Sequence, residues 1–209
     1  MKTPEDVRRF WLEETGPAGW YAVDDDLDAA IRSQFLDTWS LIGTHRLDHW
    51  LTDAKGTLAY LILADQFPRN MFRGQGKAFS TDLRALRAAQ IAVRNEWDRL
   101  IAPPERQFFY LPFMHSESLT DQDHCVRLVC DRMPEAEETL RHARAHRKVI
   151  RQFGRFPYRN NALGRRSTAA ETEYLDDGGY AHTLRTLPLM RVTQFDPGSE
   201  FSELLTLAR

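Results

Sequence analysis

The feature that most constrains the fold is a recurring apolar spacing of three and four residues, which is the period of an α-helix. One stretch that follows this spacing contains Leu27, Ile31, Phe35, Trp39 and Ile42. Three aspartates precede the stretch and Gly43 follows it. Because acidic residues favour the start of a helix and glycine favours its end, the pattern predicts an amphipathic helix over 27–42.

Other segments carry helical periodicity or helix-boundary signals, and they predict helices over 57–67, 81–94, 103–110, 121–131, 134–153 and 168–175. The 57–67 segment is apolar on nearly every face, which is typical of a helix buried inside a bundle. We expect Pro68 to end it, Pro112 to interrupt the helix before it, and Pro134 to occupy the first turn of the next long helix. Thr168 and Glu171 form a capping-box pattern that starts the last helix.

No segment shows the sustained alternation of a strand, so the sequence predicts an all-α fold. Short connections between the helices indicate antiparallel neighbours, arranged either as a bundle or as stacked helical hairpins. We expect residues 1–176 to form a single domain and residues 177–209, whose periodicity is weak, to form a C-terminal arm that is partly mobile.

Several bulk features bear on location and partners. The longest apolar run, Leu58 to Ala64, is too short to cross a bilayer, and residues 1–14 lack the apolar core of a signal peptide. Cys125 and Cys130 are the only cysteines, which is too few for a disulfide framework. These features predict a cytoplasmic protein that does not bind membranes.

The net charge of −2 conceals a strong asymmetry along the chain. Residues 139–170 contain nine Lys and Arg residues and no Asp or Glu, whereas acidic residues outnumber basic ones within the first sixty. The basic stretch could bind a carboxylate or a phosphate, for which the arginine fork is well suited. It could equally pair with the acidic residues of the same chain, or form a solvated face.

One phrase occurs twice in the chain. Phe67-Pro68-Arg69-Asn70 returns as Phe156-Pro157-Tyr158-Arg159-Asn160, with one residue inserted. We read each phrase as a loop in which the Phe is an anchor in the core, the Pro turns the chain away from a helix, and the Arg-Asn pair presents hydrogen-bond donors. The alternative is that Arg and Asn only cap helix carbonyls.

A third segment, Tyr110 to Glu117, places His115, Ser116 and Glu117 directly after an aromatic and apolar run. This composition is typical of a pocket wall with polar groups at its mouth, and His115 is the best candidate for a general acid or base. His142 and His146 share a helix face at a spacing that can chelate a metal, but the surrounding apolar stripe favours hydrogen-bonded core histidines, and we predict no metal ligands.

The quoted phrases, together with Leu163-Gly164-Arg165 and Ser167-Thr168, resemble the bacterial domain-of-unknown-function family 924. The resemblance spans about Val7 to Leu175, and Tyr158 stands where many relatives are expected to have a His. It implies an all-α, tetratricopeptide-like fold and carries no established activity or cofactor.

Two functions follow from these observations. In the first, a pocket binds a small anion through Gln66, Arg69, Asn70, Arg155, Arg159, Asn160 and Arg165, while Asp65, His115 and Glu117 perform acid-base catalysis. In the second, stacked hairpins form a scaffold for a peptide or a protein, and the same residues secure the corners. The acidic N-terminal half argues against nucleic-acid binding, and no motif indicates a cofactor or an oligomeric state.

Overall fold

The computed structural model describes residues 1–188, and these residues contain helices and turns without a strand, which confirms the all-α prediction. The α-helices are α1 (Pro4–Arg8), α2 (Gly16–Gly19), α3 (Asp25–Trp39), α4 (Ala54–Leu61), α5 (Phe67–Met71), α6 (Asp82–Arg94), α7 (Leu111–Met114), α8 (Leu119–Arg132), α9 (Glu137–Phe153), α10 (Ala169–Asp176) and α11 (Gly179–Thr186). The 3₁₀-helices are Asp48–Thr52, Gly76–Phe79, Trp97–Leu100, Glu105–Phe109 and Pro157–Arg159, and the π-helical segments are Arg9–Thr15 and Ile62–Gln66.

Helix α4 and the π-helical segment after it form the centre of the core, as the sequence predicts. Every residue from Leu61 to Ala64 is inaccessible to solvent, and α4 packs against α1 and α6. Phe67 extends this centre, because its ring contacts the rings of Phe10, Trp11 and Phe35. The predicted amphipathic helix is confirmed as α3, which begins at Asp25 after the side-chain cap of Asp24.

The prediction that Pro68 ends the buried helix is wrong, and so is the prediction of a loop over 65–70. The chain stays helical through Met71 because a π-helical turn precedes the proline, and the Phe67 amide donates to the Ile62 carbonyl five residues back. Pro68 has no amide hydrogen for the Ala64 carbonyl, which instead accepts a 2.6 Å hydrogen bond from the Thr81 hydroxyl. A side chain of the neighbouring helix therefore replaces the missing backbone donor.

Two other prolines differ from their predicted roles. Pro112 lies in the first turn of α7, where its missing amide hydrogen costs nothing, so it begins a helix instead of interrupting one. Pro134 lies in the turn before α9, which starts only at Glu137. The capping box of Thr168 and Glu171 is present at the start of α10 as predicted.

The expected C-terminal arm begins with a helix that packs on the body of the protein. Helix α11 lies against α9, and the Arg141 guanidinium of α9 donates to the Leu184 carbonyl at 3.0 and 3.2 Å. The remainder of the expected arm, 189–209, lies outside the described residues. The tetratricopeptide-like stacking of hairpins and the domain boundary at residue 176 stay predictions. Within residues 1–188, no helix is both long and apolar enough to cross a membrane.

Candidate functional site

The two repeated phrases meet at one carboxylate, that of Asp82 at the start of α6. Arg69 of the first phrase donates to both oxygens of Asp82, at 3.0 and 3.2 Å, and Arg159 of the second phrase donates to Oδ2 at 3.3 Å. The same two guanidinium groups lie over the ring of Phe79, at 5.7 and 4.5 Å from its centroid. The chain segments around residues 69 and 159 thus converge, which the anion-binding hypothesis requires.

The convergence depends on how each phrase folds. Phe67 and Phe156 are fully buried, and each following proline lies in the first turn of a helical segment. Each phrase is therefore fixed by its aromatic anchor, as predicted, but both phrases form helical turns and not open loops. The arginine follows within one turn of its anchor and is held at a defined position.

Beside this pair, the carboxylate of Asp65 accepts a hydrogen bond from Nδ1 of His115, which lies 2.9 Å from both carboxylate oxygens. Asp65 is 1% exposed, and its other partners are the Arg69 guanidinium at 3.3 Å and the side-chain amide of Gln66. Asp65 lies in the π-helical segment Ile62–Gln66, and His115 directly follows α7. A buried carboxylate that holds Nδ1 of a histidine fixes the tautomer and the orientation of the ring.

The electrostatics of this dyad define its protonation. Burial alone would raise the pKa of Asp65, but the charge of Arg69 and the hydrogen bond from His115 hold it below the ordinary value. Burial and the Arg69 charge lower the pKa of His115, although Asp65 acts in the opposite direction. At neutral pH the pair is therefore a carboxylate and a neutral imidazole. Because Nδ1 carries the proton shared with Asp65, Nε2 has a free lone pair.

Arg159 is the least satisfied charge of the site. Its residue is 6% exposed, and its guanidinium lies between the rings of Phe79 and Phe156, 4.5 and 4.6 Å from their centroids. Its one ion pair among residues 1–188 is the 3.3 Å contact with Asp82, and its buried Nε has no hydrogen-bond partner. Buried guanidinium groups normally have most of their donors satisfied, so the incomplete hydrogen bonding of Arg159 is unusual, and its unpaired Nε is itself inaccessible to solvent.

A cleft of about 330 Å³, which we call the charged cleft, opens beside these groups. The polar residues that line it are Asp82, His115, Ser116, Glu117 and Arg159, and the apolar residues that line it are Phe79, Leu83, Leu86, Pro112 and Leu163. Its volume lies at the lower end of the range of roughly 300 to 1,000 Å³ that small-molecule sites occupy.

His115 also lines a second cleft, of about 450 Å³, which we call the aromatic cleft. His142, His146 and Tyr180 form part of its wall. The Tyr180 hydroxyl lies 2.6 Å from Nδ1 of His142 and 3.1 Å from Nδ1 of His146, and His146 also donates to the His142 carbonyl. Burial and the neighbouring His115 lower the pKa of His146 to about 3, so its ring is neutral. Within the described part of the chain, no three His, Cys, Asp or Glu residues are placed to hold a metal ion.

The remaining predicted residues lie in a second layer or elsewhere. Glu117 lines the charged cleft but is held by Arg165 at 2.7 and 3.0 Å, and Arg165 also donates to Asn160. Arg155 forms a separate pair with Glu171, at 2.6 and 2.7 Å.

Asn70 lies apart from the cleft. It donates to Asp28 of α3, at 2.8 Å. Four of the ten predicted residues contact one another or line the charged cleft, namely Asp65, His115, Glu117 and Arg159. Gln66 and Arg69 lie directly behind them.

Sequence reasoning missed the role of Asp82, which is the residue that joins the two phrases. Asp82 lies at the start of the predicted helix 81–94, where an acidic residue is ordinary, and this interpretation hides a carboxylate with two arginine partners. It also missed Phe79 and Tyr180. The charge pattern contained a usable signal, because any internal ion pair of an acid-free stretch must take its carboxylate from outside that stretch.

Comparisons with known proteins identify a family and a solved structure that are similar to this chain. A family model described as bacterial proteins of unknown function (DUF924) matches residues 7–179. The structure of a protein of unknown function, ATU0120, from Agrobacterium tumefaciens is similar, with a TM-score of 0.79 and 37% sequence identity over 84% of this chain and 97% of that chain. No curated protein matches the chain.

Proposed function

The chain belongs to the DUF924 family of bacterial proteins, and because that family name carries no activity, we propose from the site itself that the protein binds a small anion in the charged cleft, where His115 transfers a proton. In this proposal Arg159 is the residue that contacts the anion. His115 is the general base, whose Nε2 accepts a proton from the bound molecule, and Asp65 is the positioning residue that orients its ring.

The observation that carries the binding step is the incomplete hydrogen bonding of Arg159. Its guanidinium contacts the rings of Phe79 and Phe156, the residue lines the cleft, and its one ion pair among the described residues is the 3.3 Å contact of a terminal nitrogen with Asp82. A fixed guanidinium loses little side-chain entropy on binding, so a carboxylate or phosphate oxygen gains a strong charge-assisted hydrogen bond there.

The proton-transfer step is supported by the Asp65–His115 pair. Its lowered pKa keeps the His115 imidazole neutral, and the hydrogen bond to Asp65 leaves Nε2 as the atom that can accept a proton. Asp65 then stabilises the imidazolium that forms, because its carboxylate is buried and ionised. Proton transfer of this kind by a positioned side chain contributes about 10²- to 10⁴-fold to a reaction rate.

The binding step is tested by calorimetric titration with two anions, inorganic phosphate and acetate. We expect at least one of them to bind the unmodified protein, and we expect the affinity to fall at least tenfold in Arg159→Gln. Arg159→Lys keeps the charge without the fork, and we expect it to bind more weakly than the unmodified protein. Arg127→Gln is the matched control, because Arg127 is exposed on α8 and does not line the cleft.

If neither phosphate nor any carboxylate tested, including the longer ones used below, binds to the folded protein, or if Arg159→Gln binds as the unmodified protein does, the proposed function is wrong. Circular dichroism of each variant checks that the fold is retained before binding is compared.

One observation favours the scaffold as a second function. Arg69, Arg155 and Arg165 are paired with carboxylates of the same chain, as expected if the motif residues only secure the corners of the fold. In that case Arg155→Gln and Arg165→Gln would reduce stability without any effect on anion binding, and a peptide partner would bind a surface other than the charged cleft.

A further inference from the structure

The geometry points to a monocarboxylate with an apolar chain as the ligand class of the charged cleft, in preference to a phosphate. This inference rests on the proposed function and adds two properties to it: the charge of the ligand head and the apolar character of its body.

The first argument is the charge balance around the cleft. Three carboxylates, those of Asp65, Asp82 and Glu117, are paired with three guanidinium groups, those of Arg69, Arg159 and Arg165. The cluster therefore has no excess positive charge. A dianion would bring two uncompensated charges close to the carboxylates of Asp82 and Glu117, whereas a monoanion brings one.

The second argument is the number of available donors. Arg69 and Arg165 each donate to a carboxylate through two nitrogens, and His115 presents an acceptor at Nε2. Of these three guanidinium groups, Arg159 has the fewest hydrogen bonds to described residues, because its single ion pair is the 3.3 Å contact to Asp82. A guanidinium can bind two oxygens, which are all the oxygens that a carboxylate has, whereas a phosphate has further oxygens that need additional donors.

The third argument is the apolar part of the lining, which is partly open to solvent. Leu83 is 59% exposed and Leu163 is 39% exposed, and both line the cleft with Leu86, Pro112 and Phe79. These residues come from the 3₁₀-helix Gly76–Phe79, α6, the start of α7 and the 159–164 turn, and the apolar lining begins next to Arg159, whose guanidinium lies 4.5 Å from the centroid of the Phe79 ring. An alkyl or aryl chain bound there removes apolar area of both partners from water.

The test is a calorimetric series with acetate, butanoate, hexanoate and inorganic phosphate as probes. We expect hexanoate to bind most tightly, with an affinity that rises about tenfold for each two methylenes added. A fully buried methylene raises the affinity roughly fourfold. Phosphate should bind more weakly than butanoate. In Leu83→Gln the gain in affinity for each two methylenes should shrink to about threefold or less. Leu100→Gln is the control, since Leu100 is 73% exposed and lies outside the cleft.

The outcomes separate this inference from the proposed function. The inference is overturned if all the carboxylates bind with equal affinity, or if phosphate binds more tightly than hexanoate. It is also overturned if the gain in affinity with chain length is as large in Leu83→Gln as in the unmodified protein. If phosphate binds in an Arg159-dependent manner under these conditions, the proposed function survives. If no probe binds, both are overturned. Leu83 is exposed, so the fold of Leu83→Gln is not at risk.

Discussion

At the scale of single residues, the site depends on Asp65, a carboxylate that is buried and has three polar partners. The neighbours Arg69, His115 and Gln66 contact this carboxylate, and each of the three loses a charged partner if the charge of Asp65 is removed. Removing one member of a buried ion pair costs more than the pair contributes, because the other charge stays buried without compensation. Stability and the orientation of His115 should therefore fall together when Asp65 changes.

We predict that Asp65→Asn lowers the free energy of unfolding by about 3 kcal/mol, measured by urea denaturation at pH 7. The control is Asp131→Asn, since Asp131 is an exposed partner of Arg99 at 3.3 Å, and we expect a change within about 0.5 kcal/mol. Similar values for the two variants would contradict the structural importance of the buried pair.

A second residue-scale prediction concerns pH. The unfolded chain binds a proton at His146 below about pH 6.5, but the folded chain does not until pH falls to about 3. The unfolded state therefore binds more protons over this window, so stability falls as pH decreases through it, by about 1.4 kcal/mol per pH unit from this group.

The check is to measure unfolding of the unmodified protein and of His146→Gln from pH 7 to pH 4. The variant should have a smaller slope of stability against pH in this range. His45→Gln is the control, because His45 is exposed, and it should keep the full slope. Parallel curves for His146→Gln and the unmodified protein would show that this ring is not buried in neutral form.

At the scale of secondary-structure elements, the π-helical turn before Pro68 decides where the first phrase points. The turn lets the chain remain helical through a proline, and it leaves the Ala64 carbonyl to the Thr81 hydroxyl of the next helix. The sequence shows the proline, which normally breaks a helix, but it does not show that the Thr81 hydroxyl binds the carbonyl that the proline leaves without a donor. This is why the buried helix itself was predictable and the path of the 65–70 segment was not.

We predict that Thr81→Val destabilises the protein by about 1 to 2 kcal/mol, since the buried Ala64 carbonyl loses its donor. In the Pro68→Ala background the same change should cost about 1 kcal/mol less, because an alanine, unlike proline, supplies an amide hydrogen that can bind this carbonyl. A double-mutant cycle by chemical denaturation measures this coupling. A coupling energy of zero would mean that the hydroxyl does not replace the missing amide.

The second element-scale prediction concerns Gly56 in α4. Alanine normally stabilises a helix interior by about 1 kcal/mol relative to glycine, but a Cβ at position 56 would lie 2.4 Å from the Trp50 carbonyl oxygen. We expect Gly56→Ala to lower stability by about 2 kcal/mol or more, measured by thermal unfolding. A stabilised variant would show that α4 and the 3₁₀-helix Asp48–Thr52 do not pack this closely.

At the scale of the whole molecule, the charge asymmetry along the chain becomes a set of internal ion pairs. The acid-free stretch 139–170 is paired with carboxylates of Asp82, Glu117, Asp123 and Glu171. These partners do not come from the acidic first sixty residues. The class of fold, the buried helix and the two arginine phrases were predictable because periodicity and residue chemistry are local properties. Asp82 was not, because its importance comes from two segments that lie far apart in sequence.

The central claim is that an anion binds beside Arg159 and within electrostatic reach of a neutral His115. The most direct measurement is the pKa of His115, obtained by NMR titration of the unmodified protein and of Arg159→Gln, without hexanoate and with hexanoate at the concentration that just saturates the unmodified protein. A bound carboxylate stabilises the imidazolium, so the account predicts that hexanoate raises the pKa of His115 by about 1 unit in the unmodified protein and leaves it unchanged in Arg159→Gln. A pKa that is the same with and without hexanoate in the unmodified protein would contradict the account.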